Sequence, residues 1–78
     1  MPKPRRVLFE WDDIAEHGGT WHPVKNMKPK PARVYSTGYL VCEDDLYYVI
    51  AQDYMKGGHC SGVTTYPKGT VRSFTVLD

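Results

Sequence analysis

The chain has 78 residues, with ten Lys or Arg against nine Asp or Glu, a net charge of +1, and 41% apolar residues. A domain of that size buries only about 60% of the surface its unfolded chain exposes, so it has room for one modest core. The near-neutral charge argues against a bulk polyanion binder, two cysteines are too few for a disulfide framework, and no segment approaches the roughly 20 apolar residues of a membrane span.

No apolar leader core follows Met1, because Pro2-Lys3-Pro4-Arg5-Arg6 runs straight into strand-like sequence. The expected location is therefore cytoplasmic, with Cys42 and Cys60 reduced and no membrane partner. The expected organisation is a single small β-barrel domain over residues 1–78, with residues 1–4 flexible and residues 12–32 forming a long loop.

From Arg5 to Trp11, Val7, Phe9 and Trp11 alternate with Arg6, Leu8 and Glu10, the period of two that marks a half-buried strand. Asp13 followed by Glu16 has the spacing of a capping box around one short helical turn, which Gly18-Gly19 would end. Thr20 to Pro31 has no periodicity and reads as a loop with Trp21 as its one large aromatic. The second strand is expected over about Arg33 to Cys42, with Val34, Ser36, Gly38, Leu40 and Cys42 on one face. A glycine inside that strand predicts a bend or a close backbone approach.

Glu43-Asp44-Asp45 is a polar turn, and Leu46 to Gln52, rich in aromatic and β-branched residues, closes a hairpin. Asp53 to His59, which holds Gly57-Gly58, reads as a mobile loop before a strand at about Cys60 to Tyr66. Pro67 interrupts pairing, Lys68-Gly69 turns the chain, and Val71 to Leu77 is the last strand. Five short strands in so short a chain predict an all-β fold, a strongly bent small barrel of the SH3-like or Sm-like kind, since closure removes exposed strand edges.

Charge is unevenly spread: residues 1–33 carry seven Lys or Arg and four acids, residues 34–78 three and five. A basic and an acidic side favour a specific partner, or a second copy of the chain, over a long polyanion.

Phe9-Glu10-Trp11-Asp12, Trp21, Ser36-Thr37-Gly38-Tyr39-Leu40, Glu43-Asp44-Asp45, Ile50-Ala51, Tyr66-Pro67-Lys68-Gly69-Thr70-Val71 and Leu77 come in an order that resembles the small single-domain proteins encoded by bacteriophages and prophages. Those chains read W-D, a later Trp, S-x-G with a hydrophobic hairpin, and I-P-K/R before a last strand; here Tyr66 stands where Ile is usual. The resemblance implies origin and fold and, for a protein outside the virion, action by binding in the host cytoplasm: blocking a host enzyme, masking a defence protein or sequestering a signalling nucleotide. Fold analogy does not choose among these.

The residues argue against catalysis. A nucleophile needs a base in hydrogen-bond reach and donors for developing charge, and Asp12, Asp13, Glu16, His17 and His22 read instead as a helix cap and a solvated loop. No catalytic residue and no cofactor is expected. His17, His22, His59, Cys42 and Cys60 are metal-ligand types without metal-ligand spacing, so no metal site is expected, and the two cysteines read as small core residues.

Binding uses what remains. Two Trp, six Tyr and three Met exceed what one small barrel hides, which points to an interface and to a homo-oligomer. The expected site for a host protein or a small anionic, nucleotide-like ligand is Trp21, Arg33, Tyr54 and Lys56, placed at an interface between copies. The alternative is a nucleic-acid-binding barrel using Lys25, Lys28, Lys30 and Arg33 with Tyr35, Tyr39, Tyr47, Tyr48 and Tyr54 as stacking platforms. A minor structural component of the virion is the third reading.

Overall fold

A computed structural model describes residues 3–16 and 18–77. The alternation read from the sequence sets the first strand: in β1 (Arg5–Asp13), Val7 and Phe9 are buried while Arg6 and Leu8 are exposed. Four strands follow, β2 (Ala32–Glu43), β3 (Tyr47–Met55), β4 (His59–Pro67) and β5 (Val71–Val76). Every pairing is antiparallel and the spatial order is β4-β3-β2-β1-β5, one five-stranded sheet. The fold is all-β, and among the described residues helical structure is limited to two three-residue 3-10 turns, Val24–Asn26 and Lys68–Thr70. Hydrogen bonding does not close the sheet, because among the described residues β4 pairs only with β3 and β5 only with β1.

The sheet curls all the same. Three strand steps separate β1 from β4, about 14 Å in a flat sheet, yet the Phe9 and Tyr66 ring centroids are 4.9 Å apart. Trp11 meets Tyr66 at the same distance, and Tyr48 of β3 stacks on Phe74 of β5 at 4.2 Å. These rings fill one end of the concave face around Val7, Phe9 and Ile50, with Leu40 and Val71 packed against them. Besides Ala51, no other described residue is a fully buried hydrophobe, which is the thin core expected of so short a chain. Gly38 is where β2 comes hard against β3, leaving no space for a side chain.

Three expectations need correction. No helical turn forms over residues 14–16: β1 runs on to Asp13, which pairs with Ala32, and the Asp13 carboxylate accepts a hydrogen bond from the Ile14 amide at 2.7 Å. The short turn comes later, at Val24–Asn26, and residues 12, 13 and 32, expected in the loop, belong to β1 and β2. The segment Asp53 to His59 is mostly strand, since Asp53 pairs with Ser61 and Met55 with His59; only Lys56-Gly57-Gly58 turns. Both glycines have positive φ, +105° and +94°, which a tight hairpin reversal requires.

Cys42 does not share the face of Leu40. The β2–β3 register shifts between them, so that Leu40 faces Ile50 while Cys42 faces Val49, and adjacent residues on β3 point to opposite sides. The bulge at Val41 turns the thiol outward. Cys42 and Cys60 are both exposed and free, not core residues.

Candidate functional site

Beyond Val7 and Ile50 the concave face is open. Arg5 continues the alternation of Val7 and Phe9, Leu40 pairs with both Arg5 and Ile50, Tyr54 lies four residues beyond Ile50, and Cys60 pairs with Tyr54. With Lys3 and Pro4 from the lead-in to β1, Val41 from the bulge, and Gly57-Gly58 at the hairpin tip, these residues line a cavity of about 530 Å³. That volume lies within the range of small-molecule sites.

The walls divide by chemistry. Leu40, Val41, Tyr54 and Cys60 are apolar or weakly polar, Lys3 and Arg5 are cations, and among the described residues no carboxylate lines the cavity. Tyr54 is half-buried and its ring rests against Tyr39 at 5.8 Å, which limits its rotation. A site with two positive charges and an aromatic wall favours an anion carrying a flat ring. Glycines at the tip let the backbone pass close to an occupant, because they carry no Cβ.

The opposite face of the sheet is occupied by its own charges. Across β2, β1 and β5, Arg33 donates to Glu10 at 2.8 Å and to Asp12 at 2.6 Å, Arg72 donates to Asp12 at 2.5 Å, and the Ser73 hydroxyl reaches Glu10 at 3.3 Å. The Arg33 hydrogen bond holds both carboxyls below the usual range, with Arg72 adding to Asp12 and Tyr35 to Glu10. The bond to Glu10 in turn pushes the Tyr35 phenol up. At the corner before β5, Lys68 pairs with Glu43 at 2.7 Å and lies 4.7 Å over the Tyr48 ring. Asp44 accepts from the Leu46 and Tyr47 amides, both at 2.8 Å, which fixes the β2–β3 turn and lowers its carboxyl. These are structural pairs.

Of the four residues expected to form one site, Tyr54 lines the cavity and Lys56 sits beside it at the turn. Arg33 lies seven residues along β2 from Leu40, about 23 Å away, and its guanidinium is held by Glu10 and Asp12. Trp21 stands in the loop between β1 and β2, 99% exposed. The four do not meet in one chain. The sequence reading missed Lys3, Arg5 and Leu40; the two cations in the run ahead of an apolar strand were the available signal.

Asp12 and Asp13 are engaged as described, and His17 lies outside the described residues. Among the described residues no three His, Cys, Asp or Glu side chains converge as a metal group would require, and no helix is long and apolar enough to cross a membrane. Of the tyrosines expected to stack on bases, Tyr48 packs against the core, whereas Tyr35 is 70% and Tyr47 41% exposed. No family model, no curated protein and no solved structure matches the chain.

Proposed function

We propose that this chain is a non-catalytic binding protein of the small SH3-like or Sm-like barrel kind, and that it acts by taking up a small anionic, ring-bearing ligand of nucleotide type. The cavity walled by Tyr54 and Leu40 and flanked by Lys3 and Arg5 carries the reading. The barrel type is supported by a four-strand meander, a 3-10 turn, and a fifth strand returning to β1, all on a sheet curled enough for β1 and β4 rings to touch. Under the phage-type resemblance, the ligand is a host defence signal and uptake is sequestration.

The ligand's anionic group sits between Lys3 and Arg5, its ring lies along Tyr54, and the Gly57-Gly58 tip borders the mouth. No bond is made or broken. The test is isothermal titration with nucleoside monophosphates, diphosphates and cyclic dinucleotides, backed by thermal shift, because a ligand at 100 times its Kd raises stability by about 2.7 kcal/mol. Binding that falls tenfold or more in Arg5→Gln and in Tyr54→Ala supports the site. Absence of a shift with every anionic ring compound, or binding indifferent to both substitutions, rejects it.

A further inference from the structure

The loop between β1 and β2 is a second surface, set apart from the cavity. It leaves the sheet at the Asp13–Ala32 pair, whereas the cavity adjoins the Arg5–Leu40 pair, eight residues or about 26 Å along β1. Almost every described side chain between Gly18 and Pro31 is exposed, Trp21 at 99% and Val24 at 87%. No acid occurs from residue 17 to residue 42, while Lys25, Lys28 and Lys30 all fall in the loop.

The three lysines make no ion pair among the described residues. At the root of the loop, Arg33 and Arg72 neutralise Glu10 and Asp12, so those carboxylates do not oppose the lysine charges. Asp13 and Glu16 lie on the other limb, ahead of Gly18. Lys28 and Lys30 each precede a proline, which holds them extended. At about 3.1 Å per residue their Cα atoms are about 6 Å apart along the chain. Charge complementarity therefore calls for a linear polyanion, and a bare indole beside the lysines calls for an unpaired base to stack on.

We infer that the 18–31 loop binds single-stranded nucleic acid, with Lys25, Lys28 and Lys30 on successive phosphates and Trp21 against a base. Arg33, grouped with these lysines by the sequence, anchors the root of the loop instead. The strand tyrosines contribute nothing here. This surface is independent of the ligand cavity.

The experiment is fluorescence anisotropy with a labelled oligothymidylate of about ten nucleotides at about 50 and about 200 mM salt. Three phosphate contacts on a single strand give a slope of about −2 in log K against log salt, a loss of about 20-fold across that range. Lys25→Gln/Lys28→Gln/Lys30→Gln flattens the slope towards zero, Trp21→Ala weakens binding about tenfold with the slope unchanged, and Arg5→Gln and Tyr54→Ala change neither. Unchanged far-UV circular dichroism shows that the loop variants fold. Any of four results overturns the inference: no binding at the lower salt up to about 100 µM protein, a slope that survives the triple substitution, a duplex bound as tightly as the single strand, or a labelled oligoglutamate bound as tightly with the same dependence on Trp21. The last would assign the loop to an acidic protein partner.

Discussion

Gly38 and Ile50 touch so closely that a Cβ at residue 38 would lie 2.5 Å from Ile50 Cγ2 and 2.9 Å from the Ala51 carbonyl oxygen. This contact lets β2 serve β1 with one half and β3 with the other. Gly38→Ala is expected to cost about 1–3 kcal/mol through overpacking, and Gly38→Val more. Gly69, which has open space around it, is the control: Gly69→Ala should stay within about 0.5 kcal/mol. Urea denaturation of the three variants measures this, and equal midpoints for Gly38→Ala and Gly69→Ala would remove the close approach as the reason for the glycine.

Phe9 is the centre of the ring cluster, 1% exposed, edge-on to Tyr66 and tilted against Phe74. Phe9→Ala is expected to cost about 3–5 kcal/mol, a large share of the 5–15 kcal/mol typical of small domains. Loss of the cooperative thermal transition is the expected readout. A variant melting within a few degrees of the parent would mean that the curled sheet does not depend on this cluster.

The elements were legible where local chemistry decides them. Alternation marked β1, the Glu43-Asp44-Asp45 turn marked the β2–β3 hairpin, and Pro67-Lys68-Gly69 marked the corner before β5. Features that depend on distant partners were not legible. The Val41 bulge carries no glycine to announce it, so Cys42 was assigned to the wrong face. Asp53 to Met55 looked like loop because glycines follow, but pairing with β4 extends the strand. Arg33 appeared to be a spare cation because its carboxylate partners lie 21 and 23 residues earlier. Tyr54 was picked out from its residue type, whereas Lys3 and Arg5 become its neighbours only through the fold.

Glu10, Asp12 and Asp44 have folded pKa values below their ordinary ones, the first two from hydrogen bonds to Arg33 and the third from the Leu46 and Tyr47 amides. Groups of this sign stabilise the fold above the unfolded carboxyl pKa, about 4, and lose that contribution as pH falls through the folded values. The melting temperature should therefore be nearly flat from about pH 7 to 5 and fall below about pH 4. Asp12→Asn should lower it at neutral pH and shrink the acid-dependent part of the drop. A melting temperature that holds or rises down to about pH 3 would contradict the assignment.

The two tryptophans should report opposite environments. Trp11 is half-buried, with its indole N–H donating to the Ser36 hydroxyl at 3.0 Å, and Trp21 is 99% exposed. Trp11→Phe leaves an indole with red-shifted emission, quenched by acrylamide as readily as free tryptophan. Trp21→Phe leaves a blue-shifted, protected one and changes stability by less than about 0.5 kcal/mol. Similar quenching in both variants would show that the loop buries Trp21 against the protein.

The molecule measures 54 × 21 × 20 Å with a radius of gyration of 16.1 Å, whereas a compact globule of this length would have a radius of about 11.5 Å. Such a rod drags more solvent than a sphere of equal mass, so it diffuses slowly and elutes early from a sizing column. A single 8.9 kDa chain will therefore run at the position of a heavier globular standard. Sedimentation equilibrium, which depends on mass and not on friction, will return a smaller particle than chromatography does, and the ratio between the two is itself a readout of how far the loop extends from the sheet.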